Sequence, residues 1–343
     1  MKASEGFSPG QHLVFQLLVL IFIVAGIAMG SVMLPLVDTL DTLWALISGA
    51  SLPQSSASAI LVHVRIPRVL SAALIGAALS LCGAAMQGLL RNPLADGSTL
   101  GVSSGASLGA VIAISLGITV PALPFAGTVM MAMLFAFASL MLILALSYSF
   151  DRSFSTQTII LMGVIFSMFA SSLISLIMAF SGDKLRSITF WTMGSLAGTT
   201  YVNVLILLLA LVFFGGLITL HGRELNAFAV GEENALHIGV PVRRVKLTVM
   251  IAVSGLIGVC VSVGGTIGFV GLIIPHITRM ALGPNHRKLL PASFYFGAIF
   301  LLLCDLIART VVSPVELPIG VVTSLIGAMV FVFIFRGRKR KER

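Results

Sequence analysis

Long apolar runs, separated by short polar or basic segments, dominate the pattern of this chain. They cover about residues 13–34, 67–90, 99–119, 125–148, 157–180, 201–220, 245–263, 268–282, 291–311 and 316–335. Most of them are long enough to cross the roughly 30 Å hydrocarbon core of a bilayer as a helix. The pattern therefore predicts an all-α, polytopic membrane protein with about ten transmembrane helices, in a single transmembrane domain over residues 1–343.

The second and third runs carry small residues at every fourth position. The first strip is Ala72, Gly76, Ser80, Ala84 and Gly88, and the second is Gly97, Gly101, Gly105 and Gly109. This spacing places each strip on one side of a helix, where backbones can approach closely. Since an Asn92-Pro93 corner joins the two runs, we expect a dense helical bundle.

Other breaks in the pattern predict irregular segments. Residues 38–47 indicate a short helix at the surface, and the Trp191 segment is expected at the membrane interface. Gly264-Gly265 and Gly268 allow a sharp re-entry into a short eighth helix. The first run is too long for a typical signal-peptide core and lacks a strongly basic start, so we interpret it as a retained helix.

Composition and charge support a membrane protein. The chain is 58% hydrophobic and 10% charged, and its three cysteines lie inside apolar runs, which favours packing roles over disulfides or a metal cluster. The net charge of +9 is distributed between and after the spans, which argues against nucleic acid. With cytoplasmic termini, 16 Lys and Arg residues fall inside and 5 outside, so the positive-inside rule favours that orientation.

Motifs for chemistry within this chain are scarce. The sequence contains no phosphate-binding GxxxxGK[ST] loop, no GxGxxG and no HExxH. Residues 101–105 spell GxSxG, but a serine nucleophile needs a strand-turn-helix context and a histidine partner, so glycine-serine helix packing is favoured over an intramembrane hydrolase. Asp305 and Arg309, one turn apart, predict a local ion pair. Ion-coupled carriers usually have ionisable groups inside their spans, and this chain has few, which argues against the interpretation as a secondary transporter. The broken eighth helix keeps that alternative open.

The segment from residue 221 to 246 is the largest interior charged stretch. It predicts two short helices around Gly231 and Gly239, with apolar contacts from Ala227, Phe228, Val230, Ala235, Leu236 and Ile238 and a charged rim of Glu232, Glu233, Arg243 and Arg244. A solvated loop would not need such regularly placed apolar residues. The pattern therefore favours docking helices for a cytoplasmic partner.

Several blocks together resemble the FecCD family of ABC importer permeases, which includes ferric-siderophore, haem and vitamin B12 transporters. The resemblance covers about residues 60–335. The blocks are Arg65-Ile-Pro-Arg68, Arg91-Asn-Pro-Leu-Ala95, Leu100-Gly-Val-Ser-Ser-Gly-Ala106, Trp191-Thr-Met-Gly-Ser195, Gly268-Phe-Val-Gly-Leu-Ile-Ile-Pro-His276 and Glu316-Leu-Pro-Ile-Gly-Val-Val-Thr323. Gly97, Cys304 and Met329-Val330 depart from the usual pattern, so the identity of the substrate is not transferred through them.

The resemblance implies a type II ABC importer permease fold in a bacterial or archaeal cytoplasmic membrane. It implies no enzyme activity and no cofactor on this chain, because ATP would bind a separate subunit. Its implied partners are a second permease copy or paralogue, two cytoplasmic ATPase subunits, an extracytoplasmic substrate-binding protein and membrane lipid, but no nucleic acid. The first substrate candidate is a ferric siderophore, and haem and cobalamin are the alternatives.

The resemblance also implies roles for particular residues. Coupling to the ATPase, within about residues 224–240, would involve Leu225, Ala227, Val230, Gly231, Glu232, Glu233, Ala235, Leu236 and Gly239. Arg65, Arg68 and Arg309, on the predicted outer face, would dock the binding protein. Ser155 and Thr156 would form a cytoplasmic gate that narrows the pathway.

Overall fold

The computed structural model describes residues 6–32, 34–120, 126–152 and 155–341, and each element in this part of the chain is a helix. The helices are α1 (Pro9–Ala28), α2 (Leu36–Ser48), α3 (Ser56–Leu89), α4 (Val102–Leu116), α5 (Ala126–Phe150), α6 (Thr156–Phe180), α7 (Leu185–Thr192), α8 (Tyr201–Leu220), α9 (Gly222–Val230), α10 (Glu232–His237), α11 (Val242–Gly264), α12 (Val270–Leu282), α13 (His286–Thr310) and α14 (Ile319–Lys341). The predicted all-α fold is confirmed.

Within the described residues, seven helices are long and apolar enough to cross a membrane, namely α1, α3, α5, α6, α8, α11 and α13. Shorter apolar helices, which are α4, α12 and the 319–334 part of α14, account for the other three predicted runs. The short helix predicted at residues 38–47 is present as α2. The chain is a multi-pass membrane protein.

Burial separates central helices from peripheral ones. The most apolar window of α3 is 83% buried and that of α11 is 72% buried, whereas the corresponding windows of α1 and α6 are 11% and 17% buried. A helix that is apolar all round and exposed along most of its length needs an apolar solvent. We therefore place α3 and α11 at the centre of the bundle and α1 and α6 against lipid or another apolar surface.

The first small-residue strip forms the central contact of the bundle. A Cβ added at Gly76 would overlap the carbonyl oxygen of Gly297 in α13. Gly83 lies outside the strip but makes a similar contact, since a Cβ there would overlap the carbonyl oxygen of Gly271 in α12. Only glycine allows backbones to come this close. The second strip acts in the same way against α5, where a Cβ at Gly105 would overlap the Ser139 side chain.

The helix α3 begins eleven residues before the predicted start at residue 67, which had been inferred from Arg65 and Pro67. A π turn at Leu61–Arg65 carries the helix through this point. Proline has no N–H to donate, and the carbonyl of Val62 accepts a hydrogen bond from the Tyr201 hydroxyl at 2.7 Å. A side chain from α8 thus replaces a backbone donor, which sequence periodicity does not reveal.

The predicted re-entry after α11 is present, but the residues with positive φ are not all glycines. Gly265 has φ 68°, as the glycine pair suggested, but the second left-handed residue is Phe269 with φ 69°. The segment is held by its neighbours, because Ser195 N donates to Gly264 O at 2.9 Å and the Thr266 hydroxyl donates to Thr192 O. It therefore connects the end of α7 to the start of α12.

Candidate functional site: a short helix pair, an arginine cluster and a serine-lined cavity

The two helices α9 and α10, called the helix pair below, are separated by a glycine break. Gly231 has φ 127° and Gly239, just after the pair, has φ 88°. Both angles lie in the region that favours glycine. The prediction of two short helices between residues 221 and 246 is confirmed.

The apolar residues of the helix pair point in two directions. Leu225, Phe228 and Ala235 are fully buried against the bundle. On the opposite side, Val230, Leu236 and Ile238 are 69%, 62% and 72% exposed. Ala227 is half-buried, and Glu233 is exposed beside the second group. The pair thus has one face that anchors it and one apolar face left open.

Glu232 differs from the other members of the predicted charged rim. Its carboxylate lies 2.7 Å from the ammonium group of Lys246 in α11, and it accepts a hydrogen bond from the Thr156 hydroxyl at 2.9 Å. The Lys246 side chain is only 4% exposed. Glu232 thus lies at the rim with its side chain 33% exposed, and it also pairs with Lys246, because a buried ammonium group needs a nearby counter-charge.

The two predicted gate residues begin α6. Ser155 is its N-cap, with its hydroxyl accepting from Thr158 N at 3.3 Å and its own N–H donating to Asp151 Oδ2 at 3.2 Å. Thr156 follows and donates to Glu232. The structure therefore connects two groups of residues that were predicted separately, the gate pair and the coupling segment.

The three predicted docking arginines are buried among helix ends. Arg65 is 4% exposed, Arg68 is 6% and Arg309 is 2%. Nη1 of Arg65 donates to the carbonyls of Ile27 and Ala28 at 3.0 and 2.9 Å. Their role in docking stays a prediction, but their guanidinium groups are enclosed in this conformation. The physical reason is that the end of α1 supplies unpaired carbonyls, which carry partial negative charge.

Arg309 also caps α1, through Met29 O at 3.0 Å and Gly26 O at 3.1 Å. Its Nε lies 2.9 Å from Asp305 Oδ2, so the predicted local ion pair is confirmed. Asp305 is fully buried and pairs with Arg68 as well, at 2.9 Å. Arg68 in turn lies 2.6 Å from Glu316, whose side chain is 30% exposed.

These five residues, three arginines and two carboxylates, form the arginine cluster. It joins α1, α3, α13 and the segment before α14 at one end of the bundle. Burying charge is costly unless pairs and hydrogen bonds compensate. Since each guanidinium has such partners here, the cluster holds these helices together in this conformation.

A cavity of about 660 Å³ lies among α3, α4, α6, α11 and the re-entrant segment. Its wall combines aliphatic side chains with hydroxyl groups from Ser103, Ser104, Ser107, Ser171, Ser175, Thr192 and Thr266. Asp96 is the one charged residue among the described residues that line it. We call this space the serine cavity; its lining is not apparent from the sequence.

The GxSxG pattern lies at this cavity, but its context is helical. Gly101, with φ 69°, joins the 3₁₀ turn Gly97–Leu100 to α4, so the strand that a nucleophile elbow requires is replaced by helix in this described region. Ser107 donates to Ser103 O at 2.8 Å, as helix-buried serines commonly do. The packing interpretation of this pattern fits the structure.

Comparison with known proteins agrees with this architecture. The profile of the FecCD transport family matches residues 17–337. The chain is 45% identical to the uncharacterized ABC transporter permease protein YvrB of Bacillus subtilis (94% of this chain, 92% of the relative), and 38% identical to the vitamin B12 import system permease protein BtuC of Vibrio vulnificus (88% and 92%). The hemin transport system permease protein HmuU of Yersinia pestis is 36% identical, over 82% of this chain and 84% of the relative. The molybdate import system permease protein MolB of Haemophilus influenzae is 37% identical, over 79% of this chain and 79% of the relative.

A solved structure described as an inward-facing conformation of a metal-chelate type ABC transporter superposes with a TM-score of 0.83, at 33% identity, over 96% of this chain and all of that one. The architecture and these similarities define a membrane-spanning transport subunit. The chain belongs to the FecCD transport family, and it is an ABC importer permease of that type.

Proposed function

We propose that this permease imports a large metal chelate, with a ferric siderophore as the first candidate and haem or cobalamin as alternatives. The observation that carries the proposal is the wall of the serine cavity, where the described residues offer hydroxyl and aliphatic groups but a single carboxylate, Asp96. Such a wall gives a bulky, hydrogen-bonding ligand contact without a tight ionic site that would retain it. The metal-chelate transporter of similar fold supports this choice.

The partners form part of the same proposal. Two ATPase subunits would bind ATP, and the open apolar face formed by Val230, Leu236 and Ile238 would contact them. A second permease copy or paralogue would cover part of the exposed surface of α6. Both termini would be cytoplasmic, in agreement with the 16 to 5 distribution of Lys and Arg.

Docking of a substrate-binding protein is proposed in a revised form. Since Arg65 and Arg309 are occupied by carbonyls of the 26–32 segment, direct contact through them would require α1 to move. The more accessible part of the arginine cluster is the Arg68–Glu316 pair, because the Glu316 side chain is 30% exposed and also accepts a hydrogen bond from Ser31 at 3.2 Å. An incoming carboxylate could reach Arg68 by displacing Glu316.

The test is uptake by proteoliposomes that contain the chain with its co-purifying ATPase. A ferric hydroxamate siderophore, haemin, cyanocobalamin and molybdate are offered in turn, each with the cognate binding protein. We expect ATP-dependent uptake of one chelate. Uptake that proceeds at the same rate without any ATPase would instead support the secondary-transporter alternative and overturn the proposal.

A further inference from the structure

A three-residue clamp connects the helix pair to two helices that line the serine cavity. Its members are Glu232 of α10, Thr156 at the start of α6 and Lys246 of α11. Lys246 Nζ lies 2.7 and 2.8 Å from the two carboxylate oxygens of Glu232, and the Thr156 hydroxyl donates to one of them at 2.9 Å. One carboxylate thus holds three helices together.

Two positive partners surround this carboxylate. It lies at the N-terminus of the 25-residue helix α6, where the helix macrodipole favours negative charge. It also faces an ammonium group that is almost completely buried. Replacing Glu232 by a neutral residue would therefore remove a counter-charge from a buried cation, which is costly at such a position.

Apolar packing between the same helices is open at this point. A cleft of about 210 Å³ lies beside the clamp, lined by Ile159 of α6, Leu236 of α10 and Met250 of α11 among others. Side chains on opposite sides of a gap transmit a displacement less directly than side chains in contact. Beside this cleft, the polar contacts of Glu232 therefore give a direct connection between α10, α6 and α11.

The other ends of α6 and α11 reach the serine cavity. Ser171, Ser175 and Met178 of α6 line it, and so do Ile257, Cys260 and Val261 of α11. At 1.5 Å per residue, these positions lie about 22–33 Å from Thr156 and about 16–22 Å from Lys246 along rigid helices. A displacement of the clamp would therefore move α6 and α11, which form two walls of the cavity.

From this geometry we infer that Glu232 is a positioning residue, which transmits movement of the helix pair to α6 and α11 and so controls access to the serine cavity. The inference rests on the proposed function, because an ATPase must move the helix pair. It assigns Glu232 a role distinct from that of the open face, where Val230, Leu236 and Ile238 would bind the partner. Contact with the ATPase and transmission of its motion would thus belong to different residues of one short segment.

The experiment compares Glu232→Gln with Asp183→Asn, a matched carboxylate-to-amide control at an exposed position outside the coupling segment. Both are made in a Cys260→Ala, Ser175→Cys background, so that one accessible cysteine reports on the cavity. The full complex with its ATPase is labelled with a hydrophilic maleimide, with and without ATP and vanadate. Binding of the ATPase and basal ATP hydrolysis are measured in parallel.

In the background protein and in Asp183→Asn, we expect ATP with vanadate to change the labelling rate of the cysteine at position 175 by about tenfold, a typical coupling between sites. In Glu232→Gln the ATPase should still bind and hydrolyse ATP, but the labelling rate should no longer respond. If uncompensated Lys246 prevents folding, the double variant Glu232→Gln, Lys246→Met removes both charges and should show the same loss of response.

Two results would overturn the inference. One is a normal ATP response of labelling in Glu232→Gln, which would show that the clamp transmits nothing. The other is loss of ATPase binding in that variant, which would make Glu232 a docking contact. Failure of the proposed function is distinguishable from both, because the background protein would then neither retain an ATPase nor show any nucleotide-dependent labelling.

Discussion

At the scale of single residues, the arginine cluster shows how a charged side chain can be stable inside an apolar bundle. Arg65 and Arg309 donate to carbonyls at the end of α1, and Arg68 lies between Asp305 and Glu316. The helix terminus supplies the negative partner that the carboxylates alone do not, since three cations face two anions. A sequence motif can thus have a structural role at positions where a resemblance suggests a surface contact.

We expect Arg309→Met to lower the free energy of unfolding by about 3 kcal/mol, because breaking a buried pair leaves Asp305 with less compensation. Thermal unfolding in detergent measures this loss. The exposed Arg186→Gln should change the free energy of unfolding by less than about 0.5 kcal/mol. Equal stability of the two variants would contradict the role of the cluster in holding these helices together.

At the same scale, the exposed apolar residues of α10 and its neighbour Ile238 give a prediction about partner affinity. Leu236→Ser and Ile238→Ser should each weaken ATPase binding by about tenfold, since each large side chain contributes roughly 1.5–3 kcal/mol when buried. Titration of the detergent-solubilised permease with the ATPase measures the affinity. Phe180→Ser, at the other end of α6 and 83% exposed, is the control and should leave the affinity unchanged.

At the scale of elements, glycine contacts set the distance between α3 and its neighbours. Gly76 and Gly83 of α3 meet the backbone of α13 and α12, and a side chain at either position would force the helices apart. Gly76 belongs to the strip that was visible as a repeat of four in the sequence, whereas Gly83 lies outside it. The partners of both glycines were not visible, because Gly297 and Gly271 lie about two hundred residues away in the chain.

Gly83→Val should therefore prevent stable packing of α3 on α12. We expect loss of the folded monodisperse species in size-exclusion chromatography, because backbone rather than a flexible side chain is in the way. Gly216→Ala in α8 is the matched control, since no atom lies within 4 Å of its added Cβ. Gly216→Ala should raise the free energy of unfolding by up to about 1 kcal/mol, because alanine has the higher helix propensity. Normal folding of Gly83→Val would contradict the close packing of α3 on α12.

At the scale of the whole molecule, the orientation of the chain in the membrane decides on which side the helix pair and the clamp lie. It therefore decides the direction in which an ATPase on that side would drive transport through the cavity. The 16 to 5 distribution of Lys and Arg predicts that α10 is cytoplasmic and that Lys184 is outside. Single cysteines at His237 and Lys184, both exposed positions, test this. The three native cysteines are buried and should contribute little background.

In intact cells, a membrane-impermeant maleimide should label Lys184→Cys, and it should label His237→Cys only after permeabilisation. The opposite pattern would invert the topology and would move the proposed ATPase surface to the outside. Labelling of both positions in intact cells would show that the reagent had crossed the membrane or that the helix assignment near residues 264–282 is wrong.

The sequence by itself determined the class of this protein, the positions of its apolar helices, the small-residue strips and the two short helices around Gly231, because each depends on a local pattern of hydrophobicity or residue size. It also predicted the Asp305–Arg309 pair, which is one helical turn apart. Only the tertiary structure decided that Arg65 caps α1, that Glu232 faces Lys246 and Thr156, and that serines from α4 and α6 share one cavity. These contacts join residues far apart in the chain, and their partners are chosen by how the helices pack rather than by their neighbours in sequence.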